Sequence, residues 1–193
     1  MEVKIGVSNH HVHLCQKDCE ILFGRNHELK VDRKLSQPGE FASTDRVAIK
    51  TDKGIITNVR ILGPIREYTQ VEISKTDAIK LGINPPIRDS GDIVNSAPIT
   101  IVGPYCELKL NEGCIIANRH IHVTNNDVEN YGLQGIKKVS VRLPGEKGGI
   151  IDNVAIKVND NYAYELHLDT DDANAHLIKT GDVGIILIGD ESE

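Results

Sequence analysis

A chain of 193 residues has room for one large domain or two small ones of about 90 residues each. Its hydrophobic content of 39% and charged content of 26% are ordinary for a globular protein in water. A net charge of −6 excludes a general nucleic-acid binder, and it leaves any anionic substrate to be drawn in by local Arg and Lys side chains.

Along the chain, a first strand signal opens by about residue 3 and runs into Ser8–Leu14, "SNHHVHL", which holds three of the eight histidines. The start Met1-Glu2-Val3-Lys4-Ile5 has no signal-peptide shape, and no apolar run approaches the roughly 18 residues that span a bilayer. A cytoplasmic protein is therefore expected, with Cys15, Cys19, Cys106 and Cys114 as reduced thiols. Short helices are predicted over Asp18–Phe23, Lys75–Leu81, Asn126–Tyr131 (after the cap candidate Thr124) and Asp171–Ile178. Between them lie short Val-, Ile- and Thr-rich runs bounded by turn residues, such as Val47–Ile49, Ile99–Val102, Val139–Val141 and Val183–Leu187. That pattern predicts a mainly β protein built from barrels or sandwiches with a few short helices.

The chain also repeats itself. "GIITNVRIL" (Gly54–Leu62) recurs as "GIIDNVAIK" (Gly149–Lys157), 95 positions later, and the same offset lays "VEISKTDAIKLGI" on "LHLDTDDANAHLI". A second histidine cluster, Asn118–Val123 ("NRHIHV"), follows the first at an offset of 109, so about 14 residues are lost around the "KLSQPGEFAS" loop. Each copy then carries H-x-H, a "GII-x-NV" strand, and a strand ending in a third candidate ligand. The sets are His11, His13 and Glu72 in one copy and His120, His122 and His167 in the other.

In a strand, residues i and i+2 face the same way with Cα atoms about 6.5–7 Å apart, so two imidazoles can converge on one ion. A third ligand from another strand completes a facial set and leaves a position for substrate, as in catalytic metal sites. All-nitrogen and carboxylate donors admit zinc first, with other divalent transition metals possible. His27 and His176 fall outside the pattern and are expected at the surface. Arg66 has Asn161 opposite it in the repeat, so only one copy places a guanidinium, suited to phosphate or carboxylate, near its third ligand.

Taken in order, "SNHHVHL", "LSQPGEFA", "LGPIREYTQVEIS", "PPIRDSGD", "IIANRHIHVT" and "ELHLDTDDAN" resemble the motifs of the PduL-type phosphate acyltransferases, or phosphotransacylases. These include the phosphate propanoyltransferases of propanediol degradation and their acetyl-CoA-using relatives. The resemblance implies two small β-barrels related by duplication and capped by short helices, with metals between them. One barrel would span residues 10–117, and the other residues 1–9 plus 118–193. It implies two zinc ions per chain, one on His11, His13 and Glu72 and one on His120, His122 and His167. Arg66 would bind phosphate and act in catalysis, and coenzyme A would contact Val7, Ser8, Asn9, Lys53, Arg60 and Asn174. Two positions depart from the family pattern. His10 stands where an Arg commonly precedes the first H-x-H, and Cys15 stands where Ser or Thr would cap the next helix.

The reaction implied is acyl-CoA plus phosphate to acyl phosphate plus CoA, with propanoyl-CoA or acetyl-CoA as substrate. Direct attack by phosphate is expected, since no Ser or Cys lies in a recognisable nucleophile motif. The expected zinc on His11, His13 and Glu72 would receive the CoA sulfur. An acyl kinase in the same pathway, a homodimer, and no N-terminal extension for microcompartment packaging complete the expectations. The rivals are a metal-dependent thioester hydrolase, a cupin-like metalloenzyme and a metal-stapled binding protein. In cupins, however, the Glu follows H-x-H by a few residues, whereas Glu72 lies 59 beyond His13.

Overall fold

The computed structural model describes residues 1–188. The chain divides into a central unit, residues 9–117, and a terminal unit made of residues 1–8 and 118–193. In chain order, β1 (Glu2–Ser8) belongs to the terminal unit. The central unit follows with β2 (His11–His13), α1 (Gln16–Phe23), β3 (Val31–Lys34), β4 (Phe41–Lys50) and β5 (Ile55–Gly63). It continues with β6 (Gln70–Glu72), α2 (Lys75–Leu81), β7 (Ile87–Arg88), β8 (Ala97–Val102) and β9 (Glu107–Ala117). The terminal unit resumes with β10 (His120–Val123), α3 (Asn125–Asn130), β11 (Lys138–Leu143) and β12 (Gly149–Val158). It ends with β13 (Glu165–Asp169), α4 (Thr170–Ala175) and β14 (Val183–Leu187).

Each unit closes a six-stranded barrel. The central ring runs β4–β5–β2–β6–β9–β8 and returns to β4, with β3 and β7 as edge additions to β4 and β9. The terminal ring runs β11–β12–β10–β13–β1–β14 and returns to β11. The order of parallel and antiparallel pairings is the same in both, so β1 plays in the terminal barrel the part that β9 plays in the central one. Each H-x-H strand is thus entered directly from the closing strand of the other unit's ring.

The repeated "GII-x-NV" has a geometric reason. Asn58 and Asn153 occupy the left-handed region, at φ 61° and 59°, and each marks an extra residue in its strand opposite β4 or β11. Asn tolerates that conformation better than most residues, and a bulge there bends the strand around its barrel. Alternation then sorts the side chains. Val12, Leu14, Ile61 and Val71 lie in the core of the central barrel, and Ile5, Ile121, Val141 and Leu166 lie in that of the terminal one. Each such side chain contributes roughly 1.5–3 kcal/mol by leaving water.

The helices follow their caps. Ser74 Oγ accepts from Asp77 N before α2, and Asp169 Oδ1 accepts from Asp172 N before α4. Thr124 and Asp127 form a reciprocal capping box at α3. The last helix stops at Ala175, three residues short of the predicted end, because Leu177 turns to φ 55°. No helix among the described residues is long and apolar enough to cross a membrane.

Candidate metal and phosphate site

In the central barrel, β2 lies antiparallel to β6 with His11 opposite Glu72 and His13 opposite Gln70. His11 Nδ1 donates to the Asn9 carbonyl at 2.8 Å, which fixes the ring and leaves Nε2 free to face Glu72 Oε2 at 3.4 Å. His13 Nε2 lies 3.9 Å from Glu72 Oε1. Burial opposes charge on all three groups. Even so, the Glu72 carboxylate carries His11 above its ordinary value, and His11 in turn holds Glu72 well below the usual carboxylate range. His13 is driven far down by burial, with His11 and Arg66 adding to the effect, so its ring stays neutral.

The terminal barrel repeats the register, with His120 opposite His167 and His122 opposite Glu165. His120 Nδ1 bonds the Asn118 carbonyl at 2.8 Å, the counterpart of the bond from His11 to Asn9. The three rings pack with centroids 4.6–5.0 Å apart. Burial, followed by the neighbouring imidazoles, lowers His122 to about 2, leaving its lone pair available. Tyr162 stacks on that ring at 3.8 Å.

Both clusters fit a transition metal. One donor atom from each of the three residues lies within 4.8 Å of the others in each set. Ligands at about 2.0–2.1 Å around a tetrahedral ion stand about 3.4 Å apart, the separation already found between His11 Nε2 and Glu72 Oε2. The Nδ1 atom of His122 is buried with no hydrogen-bond partner. A carboxylate and imidazoles withdrawn from water in this way need a cation or proton between them.

Arg66 joins the central cluster. Its main chain bonds Leu14 O at 2.9 Å, and its guanidinium reaches Ser90 Oγ at 3.1 Å and Glu40 Oε1 at 3.2 Å. Ser90 Oγ also donates to Glu72 Oε1 at 3.0 Å, and Gln70 Nε2 reaches the same carboxylate oxygen at 2.6 Å. The cationic side chain and the candidate ligand are thereby fixed in one polar network.

The other predicted contacts are dispersed. Val7 and Ser8 end β1 beside Leu168 and Asp169, one step past the pairing of Gly6 with His167. Asn9 supplies the carbonyl that orients His11. Arg60 lies opposite His11 in β5, with its guanidinium on Asp32 and the Ser43 carbonyl. Lys53 lies in the β4–β5 turn against Gly82, and Asn174 is exposed on α4.

Comparison with known proteins decides the family. A profile described as phosphate propanoyltransferase matches residues 4–179. The chain belongs to the phosphate propanoyltransferase family. The phosphate propanoyltransferase of Thermotoga maritima is 49% identical over 185 residues, covering 95% of this chain and 88% of its own. That of Priestia megaterium is 48% identical over 190 residues (98% and 88%), and that of Lachnoclostridium phytofermentans 46% over 186 residues (96% and 87%). The protein is thus an acyltransferase of the phosphate propanoyltransferase family.

Within that family pattern, the two departures have structural answers. His10 Nδ1 meets Asp77 Oδ2 at 2.9 Å, and Arg119 meets Asp172 Oδ1 at 2.8 Å. These are the same two positions of the repeat, so the histidine preserves the tie from the start of each H-x-H strand to the helix after the third-ligand strand, α2 or α4. Cys15 makes no side-chain cap on α1. The buried Thr69 ties down the start of α1 in another way, accepting from Cys15 N at 3.1 Å and donating to Asp18 Oδ2 at 2.6 Å. His27 and His176, expected at the surface, are half-buried, held by Asp45 and by the Lys147 carbonyl respectively.

Several contributors escape sequence reasoning. Ser90 and Glu40 lie in loops whose motifs mark them without giving a role, and nothing in "NDNYAYE" points Tyr162 at His122. Gln70 and Glu165 had a signal, being two residues before a candidate ligand on the same strand face.

Proposed function

We propose that this enzyme interconverts acyl-CoA plus phosphate with acyl phosphate plus CoA, using propanoyl-CoA or acetyl-CoA, by direct attack of phosphate on the thioester. His11, His13 and Glu72 would hold one zinc and His120, His122 and His167 a second, both needed for turnover. Bound zinc would supply Lewis-acid stabilisation for charge on the thioester oxygen and a soft partner for the departing sulfur. The observation that carries the reading is the network joining Arg66 to Glu72 through Ser90, because it sets a guanidinium suited to phosphate beside a candidate metal ligand.

Arg66 suits phosphate because a guanidinium offers paired N–H donors to two oxygens. With its arms directed by Ser90 and Glu40, it would hold the dianion so that one P–O oxygen faces the carbonyl carbon. The new C–O bond forms, the C–S bond breaks, and the sulfur leaves with its electron pair. An acyl-enzyme is disfavoured by the side chains present. Burial pushes the Cys19 and Cys114 thiols up to about 11 and about 12, so neither is a thiolate near neutrality. Ser90 Oγ is engaged by Arg66, Gln70 and Glu72, and none of these is an imidazole base. Val7, Ser8, Asn9, Lys53, Arg60 and Asn174 are proposed to contact CoA. The acyl phosphate formed is chemically suited to an acyl kinase acting next.

The test is CoA release from propanoyl-CoA and acetyl-CoA with and without phosphate, with acyl phosphate trapped by hydroxylamine. Release should depend on phosphate and match the trapped product. Equal release without phosphate would make the protein a hydrolase and overturn the proposal.

A further inference from the structure

The two candidate metal clusters differ in one matched pair of positions. Gln70 and Glu165 occupy the same place in the repeat, two residues before the third ligand candidate and directly across from the second histidine of H-x-H. In the central barrel the third candidate is a carboxylate, Glu72, and its neighbour is a neutral donor, with Gln70 Nε2 at 2.6 Å from Glu72 Oε1. In the terminal barrel the third candidate is an imidazole, His167, and its neighbour is an anion, with Glu165 Oε2 at 3.2 Å from His167 Nε2. Donor and acceptor have exchanged places between the two positions.

We infer that Gln70 and Glu165 are the positioning residues of the two clusters, and that Glu165 supplies the negative charge which Glu72 supplies in the other half. This rests on the zinc-binding reading above. Each cluster then keeps one carboxylate against its imidazoles, held inside the ligand set in the central barrel and beside it in the terminal one, where the converging donors are the three histidines. A buried divalent cation surrounded only by neutral imidazoles lacks compensation that a carboxylate within hydrogen-bond reach restores.

The fold has made room for this carboxylate. Gly6 pairs with His167 on the neighbouring strand, and a Cβ built there would stand 3.0–3.2 Å from the carboxylate atoms of Glu165. At the corresponding point beside Glu72 the central barrel has Ile115. The amide of Gln70 is likewise built in, since it is fully buried and its Oε1 accepts from Gly91 N at 2.7 Å.

Zinc retention tests the inference without an activity assay. In a His11→Ala background, which isolates the terminal cluster, chelator competition should show E165Q weakening zinc by about 10–100-fold. The double change E165Q/H167E rebuilds the central arrangement in the terminal barrel and should recover most of that loss, which a merely structural role would not produce. G6A, which displaces the carboxylate while leaving Glu165 in place, should weaken zinc in the same direction. Unchanged affinity in E165Q, or a double variant no better than the single, would overturn the inference while leaving the zinc reading intact. A wild-type protein that holds no zinc would remove both.

Discussion

The central and terminal barrels wrap the same six-strand ring around their cores and spend it on different electrostatics. Strand order, the asparagine bulges, the helix caps on α2 and α4, and the bond from the first histidine to the carbonyl two residues back are shared. Among the groups that vary are the third ligand candidate, the residue two before it, and the position held by Arg66 in one half and Asn161 in the other. The repeat therefore keeps what closes a barrel and aims imidazoles. It varies what sets charge, and the Arg66 guanidinium has only the neutral Asn161 as its counterpart.

Four experiments press on that contrast. The largest effect should come from removing one ligand in either half. His11→Ala and His120→Ala should each lower zinc content from two to one per chain and cut kcat/KM by about 10²–10³-fold. A variant that loses one ion and keeps full rate would show that the halves do not share the reaction. Next, Arg66→Ala should raise the KM for phosphate and lower kcat, together costing on the order of 10²-fold, while Asn161→Ala changes rate little. Equal effects at both positions would break the asymmetry.

Smaller effects belong to stability. Thr69→Val removes the hydroxyl that pairs the Cys15 amide with the Asp18 carboxylate at the start of α1 and should cost about 1–2 kcal/mol in urea unfolding, and loss of the α3 cap in Thr124→Ala should cost a similar amount. Cys15→Ser in the Thr69→Val background should recover part of it, because a hydroxyl at the N-cap can accept from the first-turn amides that Cys15 leaves without a side-chain cap. The smallest effect concerns Asp45. Burial opposes its charge, but the Ser43 hydroxyl, the Lys30 amide and His27 hold its pKa below the ordinary value. A depressed carboxylate stabilises the fold above its unfolded pKa of about 3.9, and that share is lost as pH falls through its folded value. Asp45→Asn should therefore lower Tm by a few degrees at pH 7. The gap to wild type should close below about pH 4, and a gap independent of pH would assign the loss to packing.

Most of the barrel elements were legible because local chemistry dictates them. Apolar runs between turn residues become strands, and Ser74 and Thr124 start the helices they precede, whereas the last helix begins at Thr170, one residue before its expected start, on the Asp169 cap. The H-x-H pairs and their third partners meet because the side-chain period of a strand is two, and the repeat told which distant strand would face them. What stayed hidden depends on tertiary approach. Thr69 ties down the start of α1 from 54 positions away, Ser90 joins two residues of other segments, and Tyr162 reaches His122 from a loop. The role of His10 was equally invisible until Asp77 and its repeat partner Asp172 could be seen to receive it and Arg119 in turn.

The exchange of β1 into the terminal ring also orders events during synthesis. Residues 9–117 can close their barrel from one uninterrupted stretch of nascent chain. β1, made earlier, has as its ring neighbours only β13 and β14, and its Ile5 must wait about 160 residues for Leu166 to leave the ribosome. Closing so long a loop is slow. Until then a strand carrying the unpaired edge of a barrel is exposed to other chains. The central barrel is therefore expected to assemble first and the terminal one only after the last strand emerges.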